Sequence, residues 1–139
     1  MRKRRASPPR GRRLADEALA TAAQIVTTLA DAVCVTGLDR RIQIANPALA
    51  ELLGRALESL PGILVDDCIA PADRDNVRER QNAVFAGQAE RYEARIVRPD
   101  GEVRVVAVSS GPLVLEGVLI GSAATLRRSA ARAATSPIG

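Results

Sequence analysis

The side chains that could take part in chemistry are few, and none of them has a suitable partner nearby in the sequence. Ser109 and Ser110 could act as nucleophiles only with a general base, and the chain contains no histidine. Asp66 and Asp67 form an acidic pair, but neither a histidine nor a phosphate-binding glycine loop accompanies them. We therefore expect a protein that is not an enzyme.

Cys34 and Cys68 are the other groups with reactive side chains. There is no Cys-x-x-Cys or Cys/His set, and the lack of histidine excludes most zinc and haem ligation, so no metal site is expected. A redox-sensing thiol needs exposure and positive neighbours. Cys34 falls in a predicted strand, and Cys68 follows two aspartates that would raise its pKa. Simple packing is therefore favoured over oxidant sensing for both cysteines.

Basic residues are concentrated at the N-terminus. Residues 1–13 contain seven basic side chains and no acidic one, whereas the other 126 residues carry 13 basic and 16 acidic side chains, a net charge of −3. The seven are Arg2, Lys3, Arg4, Arg5, Arg10, Arg12 and Arg13. Like charges mixed with proline and glycine predict a disordered arm. Such an arm could bind nucleic acid or anionic lipid through phosphates, or it could be a solubilising tail.

The start of the chain is not typical of an export signal. Arg12 and Arg13 could open one, but Asp16 and Glu17 stand where its apolar stretch should begin. No run of 18 apolar residues is present, so we expect no membrane-spanning segment. With the cysteine usage, this favours a cytoplasmic protein.

The elements that must position these groups begin with a helix. Apolar residues at three- and four-residue spacing predict an amphipathic helix over residues 14–30. At the other end, residues 127–139 are expected to form a short helical extension and tail. The single domain between them spans residues 31–126. Phe85 and Tyr92 are its aromatic residues, so its core must be aliphatic.

The domain is predicted to open with two short strands. Residues 33–38 are rich in β-branched side chains, and Asp39 begins the turn that follows. Residues 41–45 alternate in polarity, which predicts Ile42 and Ile44 on one face of the second strand.

A helix then begins at Asn46 and Pro47, because asparagine is a strong N-cap and proline is preferred at the first helical position. Gly54 ends this helix. Asn46 could contact a ligand, but capping the helix and tying it to the strand end is the favoured role. Residues 55–72 are irregular, with short helical turns at 57–60 and 65–69.

A longer helix is predicted over residues 71–86, ended by Gly87. Its inward-facing residues are Val77, Val84 and Phe85. Gln81 falls on the same face. A polar group there must be satisfied by the backbone, by water or by a ligand, unless it is partly exposed.

Three strands complete the chain. Residues 89–97 alternate cleanly, and Asp100 and Gly101 form the turn that follows. Residues 103–110 and 114–125 are predicted strands, broken at Gly111 and Pro112 and again at Glu116 and Gly117. They are apolar on both faces, so both faces should be covered. Helices of the domain would cover one face, and the N-terminal helix or a second subunit the other.

From residue 28 to residue 125 this order of elements resembles the PAS family. The segments that carry the resemblance are ADAVCVTGLDRRIQIANPALAELLG, APADRDNVRERQNAVFAG and YEARIVRPDGEVRVVAVSSGPL. The resemblance implies an α+β fold with a five-stranded antiparallel sheet, helices on one face and a cavity between them. It also implies a sensory or dimerisation function and not catalysis.

The well-known cofactors of that family fit poorly. Its haem-binding members need an axial histidine, and its redox-sensing flavin members usually depend on tryptophan; the chain has neither residue. Light-sensing members with a cysteinyl-flavin carry Asn-Cys-Arg-Phe-Leu where this chain has DCIAPAD at residues 67–73. The cysteine that holds a coumarate-type chromophore is replaced by Ala72. The ligand itself is therefore unknown.

The predicted cavity is aliphatic with a polar anchor at Gln81 or Tyr92. Its candidate lining residues are Ile44, Leu53, Gln81, Val84, Tyr92, Ile96 and Val105. We expect a sensory module of signal transduction that binds a small molecule or a protein partner and forms a homodimer. The alternatives are a nucleic-acid-associated transcriptional regulator that uses the basic arm, and a structural adaptor with a filled core.

Overall fold

A computed structural model describes residues 31–129. The predictions for residues 1–13, 14–30 and 130–139 lie outside this range. The strands are β1 (Ala32–Thr36), β2 (Ile42–Ala45), β3 (Glu90–Val97), β4 (Val103–Leu115) and β5 (Val118–Arg128). The helices are α1 (Pro47–Leu53) and α2 (Arg74–Phe85), with 3-10 turns at Leu57–Ser59, Val65–Cys68 and Pro71–Asp73. The strands form an antiparallel sheet in the order β2-β1-β5-β4-β3, which confirms the predicted α+β architecture.

The pairing of β1 with β2 contains a bulge that the sequence did not predict. Val35 pairs with Ile44, but the next residue, Thr36, pairs with Ile42, so Gln43 is an extra residue in β2. An extra residue breaks the alternation of side chains between the two faces. Ile42 and Ile44 consequently lie on opposite faces of the sheet, and the prediction that they share a face was wrong.

The turns and the first helix follow local sequence rules, as predicted. Asp39 Oδ1 accepts a hydrogen bond from the backbone N–H of Arg41 at 3.0 Å. Asn46 Oδ1 caps α1 by accepting from the Leu49 N–H at 3.0 Å, and it also accepts from the Val33 N–H of β1 at 3.0 Å. Gly54 ends α1 with a φ of 67°, a left-handed conformation that glycine adopts without strain. Asn46 therefore joins the helix start to the first strand.

The segment between α1 and α2 runs from one edge of the sheet to the other. Leu64 forms an isolated bridge with Arg41, next to the edge strand β2, and Ile69 forms one with Ile96 of the edge strand β3. The segment then enters α2, which begins at Arg74 and not at Pro71, because residues 71–73 form a 3-10 turn.

The fourth strand is longer than predicted, and the fifth begins and ends later than predicted. The predicted break at Gly111 and Pro112 is wrong, because β4 runs through both residues and they pair with β5. β3 ends its pairing with β4 at Ser110, so beyond that residue β4 has a neighbour on one side only. A strand with an open edge tolerates proline. At its end β5 includes Arg127 and Arg128, which corrects the predicted start of a helical extension.

Both helices pack on the same face of the sheet, where the larger core cluster lies. This cluster includes Leu49, Leu53, Val77, Ala94, Ile96 and Val106. On α2 the buried residues are Val77, Gln81 and Val84, whereas Phe85 is only partly buried, so its predicted inward orientation needs correction. A smaller cluster of Val33, Val35 and Ile44 lies on the opposite face.

Candidate functional site

A cavity of about 70 Å³ lies between the sheet and the helices. All five strands, both helices and the segment that connects the helices contribute to its walls. The walls are mainly aliphatic, and none of the lining residues is charged at neutral pH. Apolar walls with a few polar groups are the lining composition of a small-molecule site, and the volume suits only a small ligand.

The structure brings four of the seven predicted lining residues together around this cavity. These are Leu53, Gln81, Tyr92 and Ile96. Ile44 and Val105 are not among the lining residues, because the bulge places Ile44 in the cluster on the opposite face and strand alternation turns Val106, not Val105, towards the cavity. Val84 is fully buried but does not line the cavity either.

The polar side of the cavity is a chain of three side chains, Gln81, Thr36 and Ser122. Gln81 Nε2 donates to Thr36 Oγ1 at 3.2 Å, and Thr36 Oγ1 lies 2.6 Å from Ser122 Oγ. All three residues are buried. The chain joins helix α2 to the adjacent strands β1 and β5. Gln81 was predicted from its helical spacing, but Thr36 and Ser122 were not predicted.

Two thiols also line the cavity. Burial, and to a lesser extent the neighbouring Cys68, together raise the pKa of Cys34 to about 12. Burial is also the main cause that raises the pKa of Cys68, while the nearby Arg55 lowers it and Asp67 raises it. Desolvation therefore dominates over the aspartate effect expected from the sequence. Both cysteines are free.

Tyr92 contributes the aromatic ring of the cavity wall. The Arg80 guanidinium lies 5.7 Å from the centre of this ring, and Arg80 Nη1 lies 3.0 Å from Glu90 Oε1. Burial raises the pKa of Tyr92 to about 12, and the positive charge of Arg80 opposes that shift. The tyrosine is thus a neutral wall residue at physiological pH.

Asp66, the first residue of the acidic pair, forms ion pairs with two arginines. Asp66 is 6% exposed, and its carboxylate lies 2.5 Å from Arg78 Nη2 and 3.8 Å from Arg40 Nε. Within residues 31–129 no group of three or more histidine, cysteine or acidic side chains could hold a metal ion. The same range contains no helix long and apolar enough to cross a membrane.

Comparison with known protein families identifies the family of this chain. The family described as the PAS fold matches residues 26–134, most of the chain. The chain belongs to this family. The turn residues Asp39 and Gly101 and the helix cap Asn46, on which the sequence resemblance depended, all lie in the PAS-matching region.

Several solved PAS domains have similar structures. One from a Colwellia psychrerythraea protein is 22% identical with a TM-score of 0.71, covering 81% of this chain and 97% of that domain. A PAS domain of a two-component sensor histidine kinase is 14% identical with a TM-score of 0.62, covering 83% and 99%. The PAS domain of a LuxR-family transcriptional regulator from Burkholderia thailandensis, in complex with ethanol, is 18% identical with a TM-score of 0.64, covering 78% and 96%. No curated protein sequence matches the chain significantly.

These similarities establish the fold of the PAS domain. PAS domains act as sensory modules in signalling proteins, and sensor kinases and regulators are among the proteins that contain the similar structures. The ligand and partner of this domain must be argued from its own residues.

Proposed function

We propose that this PAS domain is a non-enzymatic, cytoplasmic sensory module that binds a small molecule in its cavity and passes the change to a partner. The observation that carries the proposal is the cavity of about 70 Å³ with the Gln81, Thr36 and Ser122 side chains on one side. A purely structural domain gains stability by filling such a space, since empty volume in a core is destabilising. The ethanol complex of the similar regulator domain supports a small ligand by analogy.

The test begins with the protein as it is purified. Its absorbance spectrum would reveal a coloured cofactor, and mass spectrometry of the molecules extracted from it would reveal a colourless one. We expect at least one small molecule to be recovered in stoichiometric amount, or to bind saturably when added. A protein that yields no molecule and binds none, but captures a protein partner tightly, would support the structural adaptor instead.

Dimerisation is part of the same proposal. Val114 and Val118, near the end of the β4–β5 hairpin, are 53% and 61% exposed. Exposed apolar residues that lie close together favour association. The predicted helix at residues 14–30 would add a second apolar surface. Light scattering over a range of concentrations should give the mass of a dimer, and a monomer at every concentration would contradict this part.

The N-terminal arm favours a second function, that of a nucleic-acid-associated regulator. Seven basic side chains in 13 residues can neutralise several phosphates. A gel-shift assay comparing the full chain with a chain that begins at Leu14 tests this function. We expect salt-dependent binding by the full chain only. Equal or negligible binding by both proteins would exclude it.

A further inference from the structure

The cavity contains a hydrogen-bond acceptor that is not satisfied by the protein. Gln81 is 8% exposed, and no donor within residues 31–129 reaches its Oε1 atom. The other atom of the same amide, Nε2, is engaged with Thr36 Oγ1. Leaving a buried carbonyl oxygen unpaired is unfavourable, and folded proteins usually supply such an atom with water or a ligand. Gln81 Oε1 therefore needs a hydrogen-bond donor that residues 31–129 do not supply.

The same three side chains can also donate hydrogen bonds, from the second N–H of Gln81 Nε2 and from the Thr36–Ser122 pair. The hydroxyls of Thr36 and Ser122 carry two hydrogens, and their mutual contact at 2.6 Å uses one of them. The second hydrogen remains available, on Ser122 if Thr36 donates in their contact and on Thr36 in the other case. The polar side of the cavity thus presents an acceptor together with a donor.

The rest of the cavity limits which ligands can bind to these polar groups. A charged ligand would lose its hydration without gaining a counter-charge, because no lining residue is charged at neutral pH. A volume of about 70 Å³ is well below the roughly 300–1,000 Å³ of pockets that hold drug-sized ligands. A ligand of this size has only a few non-hydrogen atoms, and most of its surface would contact aliphatic walls such as Ile96 and Val106.

We infer that the ligand is a small uncharged molecule with a hydroxyl group, whose hydrogen is donated to Gln81 Oε1 and whose oxygen accepts from the Thr36–Ser122 pair. A hydroxyl is both donor and acceptor, so it matches both groups at once. This inference rests on the proposed function, since it assigns a ligand class to the same cavity.

Two probes of equal size separate this chemistry from simple filling of the cavity. 2-Propanol and acetone have the same number of non-hydrogen atoms, but only 2-propanol can donate a hydrogen bond. Each is titrated into the full-length protein, and its affinity is measured from the NMR amide shifts of cavity residues such as Ala94 and Ser122. We expect 2-propanol to bind about fivefold more tightly than acetone, the effect of one neutral hydrogen bond.

Substitution of Gln81 tests whether its side chain causes the preference for 2-propanol over acetone. Gln81→Met, which keeps the length of the side chain, should abolish the difference between the probes, and Gln81→Leu serves the same purpose if the first variant does not fold. Gln88→Met, at an exposed position after α2, should leave it unchanged.

The outcomes separate the two proposals. Equal affinity for both probes in the unsubstituted protein, or a preference that persists without Gln81, would overturn the hydroxyl inference and leave cavity binding intact. If neither probe causes saturable shifts, the hydroxyl inference fails, and cavity binding fails with it if no small molecule is recovered from the purified protein.

Discussion

Gly121 of β5 lies so close to Thr36 of β1 that a Cβ atom on Gly121 would be 2.0 Å from the Thr36 carbonyl oxygen. The atom in the way belongs to the backbone, so it cannot move aside as a flexible side chain would. The glycine therefore allows β1 and β5 to approach each other closely at the point where the Thr36 and Ser122 hydroxyls form a hydrogen bond.

Gly121→Ala should lower the free energy of unfolding by about 3 kcal/mol, because the two strands must separate to admit the methyl group. Urea denaturation followed by circular dichroism measures this loss. Gly111→Ala is the matched control, since a Cβ on Gly111, in the neighbouring strand β4, would have no atom within 4 Å. Equal stability of the two variants would contradict the close approach.

Asn46→Ala should also lower the free energy of unfolding by about 3 kcal/mol. The substitution removes the cap of α1 and leaves the buried N–H of Val33 without its acceptor. Thermal and urea denaturation would measure the loss. Asn82→Ala, at an exposed position of α2, should change stability by less than about 0.5 kcal/mol. A similar small effect at Asn46 would show that the residue does not join helix and strand as described.

The ion pair of Asp73 with Arg95 should make stability depend on pH. Hydrogen bonds from the Arg95 side chain, at 2.7 and 3.0 Å, hold the pKa of Asp73 below its usual 3.8. A lowered folded-state pKa stabilises the fold above about pH 4, and this contribution disappears as the pH falls through the folded-state pKa.

Asp73→Asn should therefore be less stable than the unsubstituted protein by about 1 kcal/mol at pH 7, and the gap should close at acidic pH. Denaturation curves at pH 7, 4 and 2.5 measure it. Glu79→Gln, an exposed change on helix α2, which begins directly after Asp73, should show no such closing gap. A gap for Asp73→Asn that is constant with pH would rule out the ion pair as its source.

Ala94→Val should weaken binding of any cavity ligand at least tenfold while the protein still folds, because the added methyl groups occupy part of the cavity. Isothermal calorimetry or NMR titration would measure the affinity. The control is Ala107→Val on β4, where strand alternation turns the side chain away from the cavity. Unchanged affinity in Ala94→Val would show that the ligand binds elsewhere.

Cys34 should resist alkylation in the folded protein. With a pKa of about 12 the thiolate is scarce at pH 8, so iodoacetamide should react at least about 100-fold more slowly than with the unfolded chain. Cys68 should react faster than Cys34, because Arg55 partly opposes the effect of burial on its pKa. Mass spectrometry of the Cys34→Ala and Cys68→Ala variants separates the two rates. A reversed order would contradict the described environments.

The same burial of Cys34 has a consequence for alkaline stability. The thiol ionises near pH 9 in the unfolded chain but only near pH 12 in the fold, so the fold loses stability as the pH rises between these values. Cys34→Ala should show a smaller loss over that range in denaturation experiments, and an identical loss would exclude Cys34 as a cause.

The features that sequence predicts best are those determined by neighbouring residues. The turn at Asp39, the cap at Asn46 and the end of α1 at Gly54 depend on side chains and backbone within a few positions. These local interactions do not depend on the rest of the chain. The spacing of the turn and cap residues along the sequence therefore indicated the fold.

The features that sequence missed depend on a neighbour in space. The extra residue Gln43 shows no local signal, and it is accommodated because β1 pairs around it. Pro112 was interpreted as a break, but β4 continues through it because β3 has already ended. Whether a strand is open on one side is a property of the whole sheet.

The candidate site was predicted in part for the same reason. Helical spacing was sufficient to place Gln81 on the inner face of α2. Its partner Thr36 and the adjoining Ser122 are separated by 86 positions in the chain, and only the pairing of β1 with β5 brings them together. Alternation within β1 would have indicated that Cys34 and Thr36 share a face.

The bridges of Leu64 with Arg41 and of Ile69 with Ile96 place one stretch of the chain against both edge strands of the sheet. In β2, the Ile42 N–H donates to the Ile63 carbonyl and the Ile42 carbonyl accepts from the Gly62 N–H, and in β3 the Arg95 carbonyl accepts from the Ala70 N–H. Exposed edges are where β-proteins polymerise, so these particular backbone groups are protected from pairing with a strand of another molecule.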